Sequence, residues 1–250
     1  MPIKGLGSEK APFLYLDEFC PTVNWEELHA ETCYGLSSVQ WIKRYVSAGV
    51  HEKWSDKEMT TYARNRMFSD IDLSYYDKIL PTETEKRIKF TSLTTPALHP
   101  FWTLFLRLNR VIDNRRMSNK SVGDDCEWND NVRHFPKLIE LINQLPFKEI
   151  GRVMFFITEP NNETIPHYDD SIDVPDRPND DFIWFTTNNR YKKIYVMDPI
   201  TLEKSYPDQN KKFIWFNEMD YHGTDAINRL SFSIRIDGKF HDHVKRAIID

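Results

Sequence analysis

The chain has 250 residues, of which 40% are hydrophobic and 14% are aromatic, and its formal net charge is −5. A chain of this composition can bury a large apolar core, so intrinsic disorder is excluded. The acidic balance argues against a protein whose main role is to coat duplex nucleic acid, because such proteins carry a basic surplus.

No apolar run is long enough to span a membrane, and residues 1–19 lack the apolar stretch of a signal peptide. The three cysteines, Cys20, Cys33 and Cys126, are scattered and match neither a disulfide framework nor a zinc motif. These features favour a cytoplasmic protein that is not attached to a membrane.

The first part of the chain, residues 1–134, reads as mainly helical after a short strand at residues 13–16. Asn24 is a typical helix-capping residue, and large apolar side chains recur at helical spacing further along. We therefore predict helices at residues 25–33, 39–50, 56–68 and 101–114. We expect this region to pack on the second part of the chain.

The second part, residues 135–250, opens with a predicted helix at residues 136–145 and then changes to a β pattern at Gly151. Short runs rich in aromatic and β-branched residues alternate with turn signals. They predict strands at residues 152–158, 182–187, 193–197, 212–216 and 229–237. Five or more such strands are typical of an antiparallel sandwich or jelly roll, here in an α+β chain.

The most informative motif is His167-Tyr168-Asp169, which follows a β run. Residues i and i+2 of a strand point the same way, so His167 and Asp169 can offer a nitrogen and a carboxylate oxygen to one metal ion. With the distant His222 they form the two-histidine, one-carboxylate set that suits Fe(II). The alternative is a turn histidine that bonds a nearby carboxylate. A second such triplet, residues 241–243, lacks a β context and is interpreted as a solvated segment.

A second signal is the strict alternation in residues 229–237. Arg229, Ser231, Ser233 and Arg235 share one face of the predicted strand, and the apolar residues share the other. An arginine with hydroxyl neighbours is a ready receptor for a carboxylate. The alternative is an edge strand whose polar face meets water.

The order of these elements resembles that of the Fe(II)- and 2-oxoglutarate-dependent dioxygenases, which have a double-stranded β-helix (jelly-roll, cupin-like) core. Within that superfamily, residues 135–238 look most like the aspartyl/asparaginyl β-hydroxylase and prolyl hydroxylase group. They depart from it where the β-hydroxylases often carry an Arg-x-His pair, because this chain has Asp181-Phe182-Ile183 there.

The resemblance implies that His167, Asp169 and His222 bind Fe(II) and that Arg229 holds the distal carboxylate of 2-oxoglutarate, with O₂ as co-substrate. Ser231 is a further cofactor candidate. Arg235 is another, because the alkylated-base demethylases also carry two arginines six residues apart; it is alternatively solvated or paired with an aspartate. Trp215, Tyr195 and Thr187 are interpreted as pocket residues or plain core.

The function implied is hydroxylation of a C–H bond in a small molecule or peptide, best an amino acid, with release of succinate and CO₂. One alternative is a demethylase of a nucleobase or protein methyl group, which the two arginines favour and the acidic charge disfavours. Another is a non-catalytic, cupin-like binding protein. No nucleic-acid or membrane partner is expected.

Overall fold

A computed structural model describes residues 12–39, 42–47, 98–109, 122–167, 181–188, 193–198, 201–217 and 220–249. The helices are α1 (Trp25–Ser38), α2 (Pro136–Gln144) and α3 (Asp242–Ile249). The first four strands are β1 (Leu14–Tyr15), β2 (Ile42–Ser47), β3 (Leu98–Asn109) and β4 (Cys126–Trp128). The next four are β5 (Phe147–Thr158), β6 (Thr164–His167), β7 (Asp181–Phe185) and β8 (Lys193–Met197). The last four are β9 (Lys204–Ser205), β10 (Ile214–Trp215), β11 (His222–Asp225) and β12 (Ser231–Phe240).

The strands form two antiparallel sheets. The larger sheet has the order β1-β10-β7-β12-β5-β3-β2, with β4 paired to β3, and the smaller sheet has the order β6-β11-β8-β9. From β5 to β12 the chain passes repeatedly from one sheet to the other. Side chains of both sheets, such as Phe155 and Val196, belong to one buried apolar cluster. The core is therefore a two-sheet antiparallel sandwich of the jelly-roll type, as the sequence predicts.

Two helix predictions in the first part of the chain are wrong. Residues 101–109 of the predicted helix at residues 101–114 belong to the strand β3. The predicted helix at residues 39–50 contains the strand β2, which pairs with β3. In β3, Leu104 packs into the main core while Phe105 packs into a second apolar cluster with Met154. A strand covered on both faces gives a continuous apolar run, which periodicity alone does not distinguish from a buried helix.

Among the described residues before 135 there are four strands, one α-helix and three short 3₁₀ turns. These strands join the larger sheet, so that sheet continues across the expected boundary at residue 134. The predicted helix at residues 56–68 lies outside the described residues. In the second part, the five predicted strands are confirmed in position, and the short strands β6, β9 and β11 are additional.

The helices α1 and α2 cover one face of the larger sheet. Phe135, at the start of α2, contacts Phe155 of β5 with ring centroids 5.2 Å apart, and Trp25 of α1 contacts Phe185 of β7 at 6.0 Å. The carboxylate of Glu31 on α1 accepts hydrogen bonds from the backbone N–H groups of Lys137 and Leu138. This carboxylate caps α2 and fixes the two helices to each other.

Within the part of the chain that the structure describes, no helix is both long and apolar enough to cross a lipid bilayer. The three cysteines are free thiols: Cys33 is exposed, Cys20 is half-buried and Cys126 is buried.

We predict that Phe155→Ala lowers the free energy of unfolding by about 3–5 kcal/mol, because Phe155 is fully buried between α2 and β12 and leaves a cavity there. Tyr34→Ala is the control, since Tyr34 is 73% exposed, and we expect a change within about 0.5 kcal/mol. Urea unfolding followed by circular dichroism measures both. A loss below about 1 kcal/mol for Phe155→Ala would contradict this packing.

Candidate functional site

The structure pairs two of the predicted metal ligands directly across the smaller sheet. His167 is the last residue of β6 and His222 is the first residue of β11, and the two residues are partners in the antiparallel ladder. Residues opposite each other in such a ladder have Cβ atoms about 4.5–5.5 Å apart. Two histidines that are 55 positions apart in the sequence therefore occupy one place in the fold.

The antiparallel ladder next to this histidine pair contains a β-bulge. The β6–β11 register shifts by one residue between the His222–His167 and Thr224–Thr164 pairs, so the ladder has a bulge there. Pro166 lies within the bulged segment of β6, which is an edge strand, and a proline is tolerated in such a position. The bulge thus interrupts the ladder next to the paired histidines.

His222 is buried, with 7% of its surface exposed, and its ring orientation is fixed. Its Nδ1 lies 2.8 Å from the backbone carbonyl oxygen of Asp220. A carbonyl only accepts hydrogen bonds, so Nδ1 carries the proton and donates it, which leaves the lone pair on Nε2 of the neutral ring. This is the arrangement that holds a metal-ligating histidine in one tautomer.

The second sequence signal, the polar face of β12, is buried in the structure. β12 lies between β5 and β7, so the edge-strand alternative is wrong. Ser231 is 4% exposed, Ser233 is completely buried and Arg235 is 5% exposed. They share a face with Thr158 of β5, because Ser231 pairs with Thr158 in the ladder. Phe232 and Ile234 occupy the opposite face, under the helices.

Ser233 has an unsatisfied polar group. Its Oγ is buried and has no hydrogen-bond partner in the structure. A buried hydroxyl without a partner costs free energy, and such groups in native proteins call for an explanation. The hydroxyl lies between Ser231 and Arg235 on the same face, where a bound polar ligand would satisfy it.

Arg235 is held by an aspartate, as one of the two sequence alternatives predicts. Its Nε donates to Oδ1 of Asp237 at 2.8 Å, and Nε of Arg152 on β5 donates to Oδ2 of the same carboxylate, also at 2.8 Å. The Arg235 guanidinium lies over the ring of Phe182, 4.0 Å from its centroid. Asp237 is fully buried, so this cluster joins β5 and β12 inside the sandwich.

Two aromatic residues connect this cluster to the histidine pair. The ring of Phe216 lies 4.9 Å from that of His222 and 5.2 Å from that of Phe182, measured between centroids. Phe182 in turn lies under the Arg235 guanidinium. The polar face of the larger sheet and His222 of the smaller sheet are therefore linked by van der Waals contacts through Phe216 and Phe182.

The two remaining predicted site residues are Arg229 and Asp169. Arg229 is exposed and precedes β12 by two residues, in phase with Ser231. Asp169 lies outside the described residues. Within the described ranges, no three His, Cys, Asp or Glu side chains cluster closely enough to hold a metal ion. The complete ligand set therefore remains a prediction.

Tyr195, a candidate pocket residue, lies on the other face of the smaller sheet. It pairs with Gly223, whereas His222 pairs with Val196. A Cβ on Gly223 would lie 2.5 Å from the Tyr195 hydroxyl, so glycine is needed where this tyrosine crosses β11.

Burial raises the pKa of the neighbouring Tyr206 to about 12, and the hydrogen bond that Tyr206 donates to Asp225 acts in the same direction.

The other two candidate pocket residues have structural contacts. Thr187 follows β7, and its Oγ1 lies 2.7 Å from Nδ1 of His29 on α1. Trp215 of β10 is buried, 6.0 Å from Phe182. The triplet at residues 241–243 is exposed at the start of α3, in agreement with its interpretation as a solvated segment.

Sequence reasoning did not assign a site role to three residues of this region: Ser233, which it only placed on the polar face, the shared Asp237 and its second partner Arg152. A signal for two of them was present. Ser233 and Asp237 are in phase with Arg235 on the alternating strand, so a buried polar face implies that all three are buried together. Arg152 carries no such signal, because its contact with Asp237 depends on the pairing of β5 with β12.

Comparison with known proteins gives matches only at the level of structure. No protein-family model matches this sequence, and no curated protein matches it significantly. An oxidoreductase of the 2OG-Fe(II) oxygenase family from Burkholderia pseudomallei matches with a TM-score of 0.38 at 9% identity, over 87% of this chain and 92% of that chain.

Two prolyl hydroxylases also match. A prolyl-4-hydroxylase from Pseudomonas putida has a TM-score of 0.30 at 11% identity, over 84% of this chain and 99% of that chain. A viral collagen prolyl hydroxylase from Paramecium bursaria Chlorella virus-1, solved with 2OG, has a TM-score of 0.28 at 11% identity, over 55% and 78% of the two chains. These proteins belong to the superfamily that the motif order resembles.

We predict that Ser233→Ala raises the free energy of unfolding of the ligand-free protein by about 1 kcal/mol, because it removes a buried hydroxyl that has no partner. Thr32→Val is the matched control: it removes a buried hydroxyl that donates to the Leu28 carbonyl, and we expect a loss of about 1 kcal/mol. Chemical denaturation measures both. A Ser233→Ala protein that is less stable than the wild type would show that this hydroxyl is satisfied.

Proposed function

We propose that this protein is an Fe(II)- and 2-oxoglutarate-dependent dioxygenase that hydroxylates a C–H bond of an amino acid, free or within a peptide. The observation that carries the proposal is the pairing of His167 with His222 across β6 and β11. Asp169 follows His167 by two residues, so the sequence supplies a carboxylate close to this histidine along the chain.

The chemistry of these donors suits iron. Two imidazoles and one carboxylate hold Fe(II) on one side and leave coordination positions open for a co-substrate and O₂. Nδ1 of His222 hydrogen-bonds the Asp220 carbonyl, and a contact of this kind orients metal-ligating histidines. In this proposal His167, Asp169 and His222 hold the iron, which supplies the oxidising chemistry once 2-oxoglutarate and O₂ have bound.

The polar face of β12 suits a dicarboxylate. Arg229 is the proposed anchor of the distal carboxylate of 2-oxoglutarate, with Ser231 and Arg235 as further contacts. The unsatisfied Oγ of Ser233 supports a polar ligand against this face, because a carboxylate oxygen would accept its hydrogen bond. Ser231, Ser233 and Arg235 are buried, and buried surroundings strengthen such contacts and exclude water.

The strand order supports the double-stranded β-helix as the finer description of the fold. The strands β5 to β12 divide into the sets β10-β7-β12-β5 and β6-β11-β8-β9. Eight consecutive strands thus form two four-stranded antiparallel layers, with four further strands added to the first layer. In this arrangement the proposed iron ligands lie on one layer and the proposed 2-oxoglutarate contacts lie on the other.

The proposed substrate classes are free amino acids and peptides. One structural match is a prolyl hydroxylase from Trichoplax adhaerens solved with a peptide fragment, and it motivates the choice of peptides as one of two substrate classes to screen. The demethylase alternative makes a different prediction. It requires DNA, RNA or a methylated protein to bind, and for nucleic acid this binding weakens as salt rises.

We predict that Fe(II) and 2-oxoglutarate, added together without oxygen to the metal-free protein, give a weak visible charge-transfer band that neither gives alone. His222→Ala and His167→Ala should each remove the band, because each removes one of the proposed ligands. Arg229→Ala should shift its appearance to concentrations of 2-oxoglutarate higher by about tenfold or more, since a charge-assisted contact is lost. Anaerobic absorption spectroscopy is the measurement.

His241→Ala is the control, because His241 belongs to the exposed second triplet and should leave the band unchanged. Circular dichroism of each variant tests that it remains folded. A folded wild-type protein without the band would contradict the dioxygenase and favour a cupin-like binding protein. If the band is present, release of succinate identifies substrates among amino acids and peptides.

A further inference from the structure

We propose that Asp237 is a positioning residue of this site, which acts by holding Arg235 in place against the bound dicarboxylate. The inference rests on the proposed function, and it assigns a role to a residue that is not itself one of the proposed iron ligands or 2-oxoglutarate contacts. It is carried by the contacts of the Asp237 carboxylate, the stacking of Arg235 and the unsatisfied hydroxyl of Ser233.

The two oxygens of the Asp237 carboxylate accept hydrogen bonds from arginines on two different strands. Oδ1 accepts from Nε of Arg235 on its own strand, β12, at 2.8 Å. Oδ2 accepts from Nε and from one terminal nitrogen of Arg152 on β5, at 2.8 and 2.7 Å. Because Asp237 is fully buried, few other positions are open to this carboxylate, and the contact with Arg152 fixes it further.

The contact with Arg235 is made through one edge of the guanidinium. Nε of the guanidinium donates to Oδ1 of Asp237. The flat face of the group lies on Phe182, 4.0 Å from the ring centroid. An edge bonded to a carboxylate and a face stacked on a ring together determine the orientation of a planar group.

The residues around Arg235 indicate where a ligand would bind relative to its guanidinium group. Ser233 precedes Arg235 by two residues on the same buried face, and its Oγ lacks a partner. Phe182 contacts Phe216, which contacts His222. Arg235 thus shares its buried strand face with an unsatisfied hydroxyl and stacks on a ring whose contacts lead to His222. A dicarboxylate bound to the proposed iron would extend along this face toward Arg235.

Both the negative charge and the shape of the side chain at position 237 matter for this role. A carboxylate that accepts from two guanidinium groups makes charge-assisted hydrogen bonds, which hold geometry better than neutral ones. An asparagine has the same size but presents an NH₂ group to one of the arginines, which are donors only. Asp237→Asn therefore releases Arg235 while leaving all proposed ligand contacts in the sequence.

The test compares Asp237→Asn with Asp181→Asn, a matched control. Asp181 is also a buried carboxylate of the larger sheet, 4% exposed, and it accepts from Lys245 and from the backbone N–H of Phe240. It pairs with Gly238, on the opposite face of the sheet from Arg235. Both variants are expected to be less stable than the wild type, so stability alone does not distinguish the two residues.

We expect Asp237→Asn to raise the apparent Kd of 2-oxoglutarate by about tenfold, and Asp181→Asn to change it less than about twofold. The measurement is an anaerobic titration of the Fe(II)-loaded proteins with 2-oxoglutarate, followed by the charge-transfer band. Isothermal calorimetry with Fe(II) alone should give the same affinity for all three proteins, because the iron ligands are untouched. Where a substrate is found, KM for 2-oxoglutarate should rise while kcat at saturation changes little.

Asp237→Glu is the second variant, for the case that Asp237→Asn does not fold. It keeps the charge but displaces the carboxylate, and we expect an increase in Kd of about threefold or more. An unchanged Kd in a folded Asp237 variant would overturn the proposal, as would an equal increase in Asp181→Asn. Absence of the band in the wild type overturns the proposed function itself, and with it this role of Asp237.

Discussion

The architecture of this protein depends on the burial of strand β12 on both of its faces. β12 pairs with β5 on one side and with β7 on the other, so its backbone is fully used in the larger sheet. One face carries Phe232, Ile234 and Ile236 and is covered by α1 and α2. The other face is polar and equally buried. Buried polar groups must be satisfied from within, and this requirement determines what lies around them.

The buried polar groups of β12 have hydrogen-bond partners at one end of the strand but not at every position along it. At one end Arg235 and Asp237 satisfy each other, and Arg152 completes the cluster from β5. Further along, the Ser233 hydroxyl is left without a partner. A natural strand retains a costly polar group mainly where function requires it, and an alanine would fit the same space. One continuous face therefore has an end at which the charged groups are paired with each other and a part around Ser233 in which a polar group lacks a partner.

The predictions of the site and of the elements around it use different information in the sequence. The order of His167, His222 and Arg229, together with the alternation through Arg235, depends on local spacing, which a sequence displays directly. By contrast, β3 was predicted as a helix because a strand covered on both faces has no period-two pattern. The pairing of His167 with His222 and the contact of Arg152 with Asp237 depend on strand register, which long-range packing decides.

The two sheets contribute different parts of the proposed site, and this division has a consequence for stability. The smaller sheet contains the paired His167 and His222, and β12 of the larger sheet contains the residues proposed to bind the carboxylate. The rings of Phe216 and Phe182 connect His222 with the β12 residue Arg235. A co-substrate that binds the iron at one end and β12 at the other therefore bridges the two sheets. Since such a ligand binds only the folded arrangement, its binding free energy stabilises the packing of one sheet on the other.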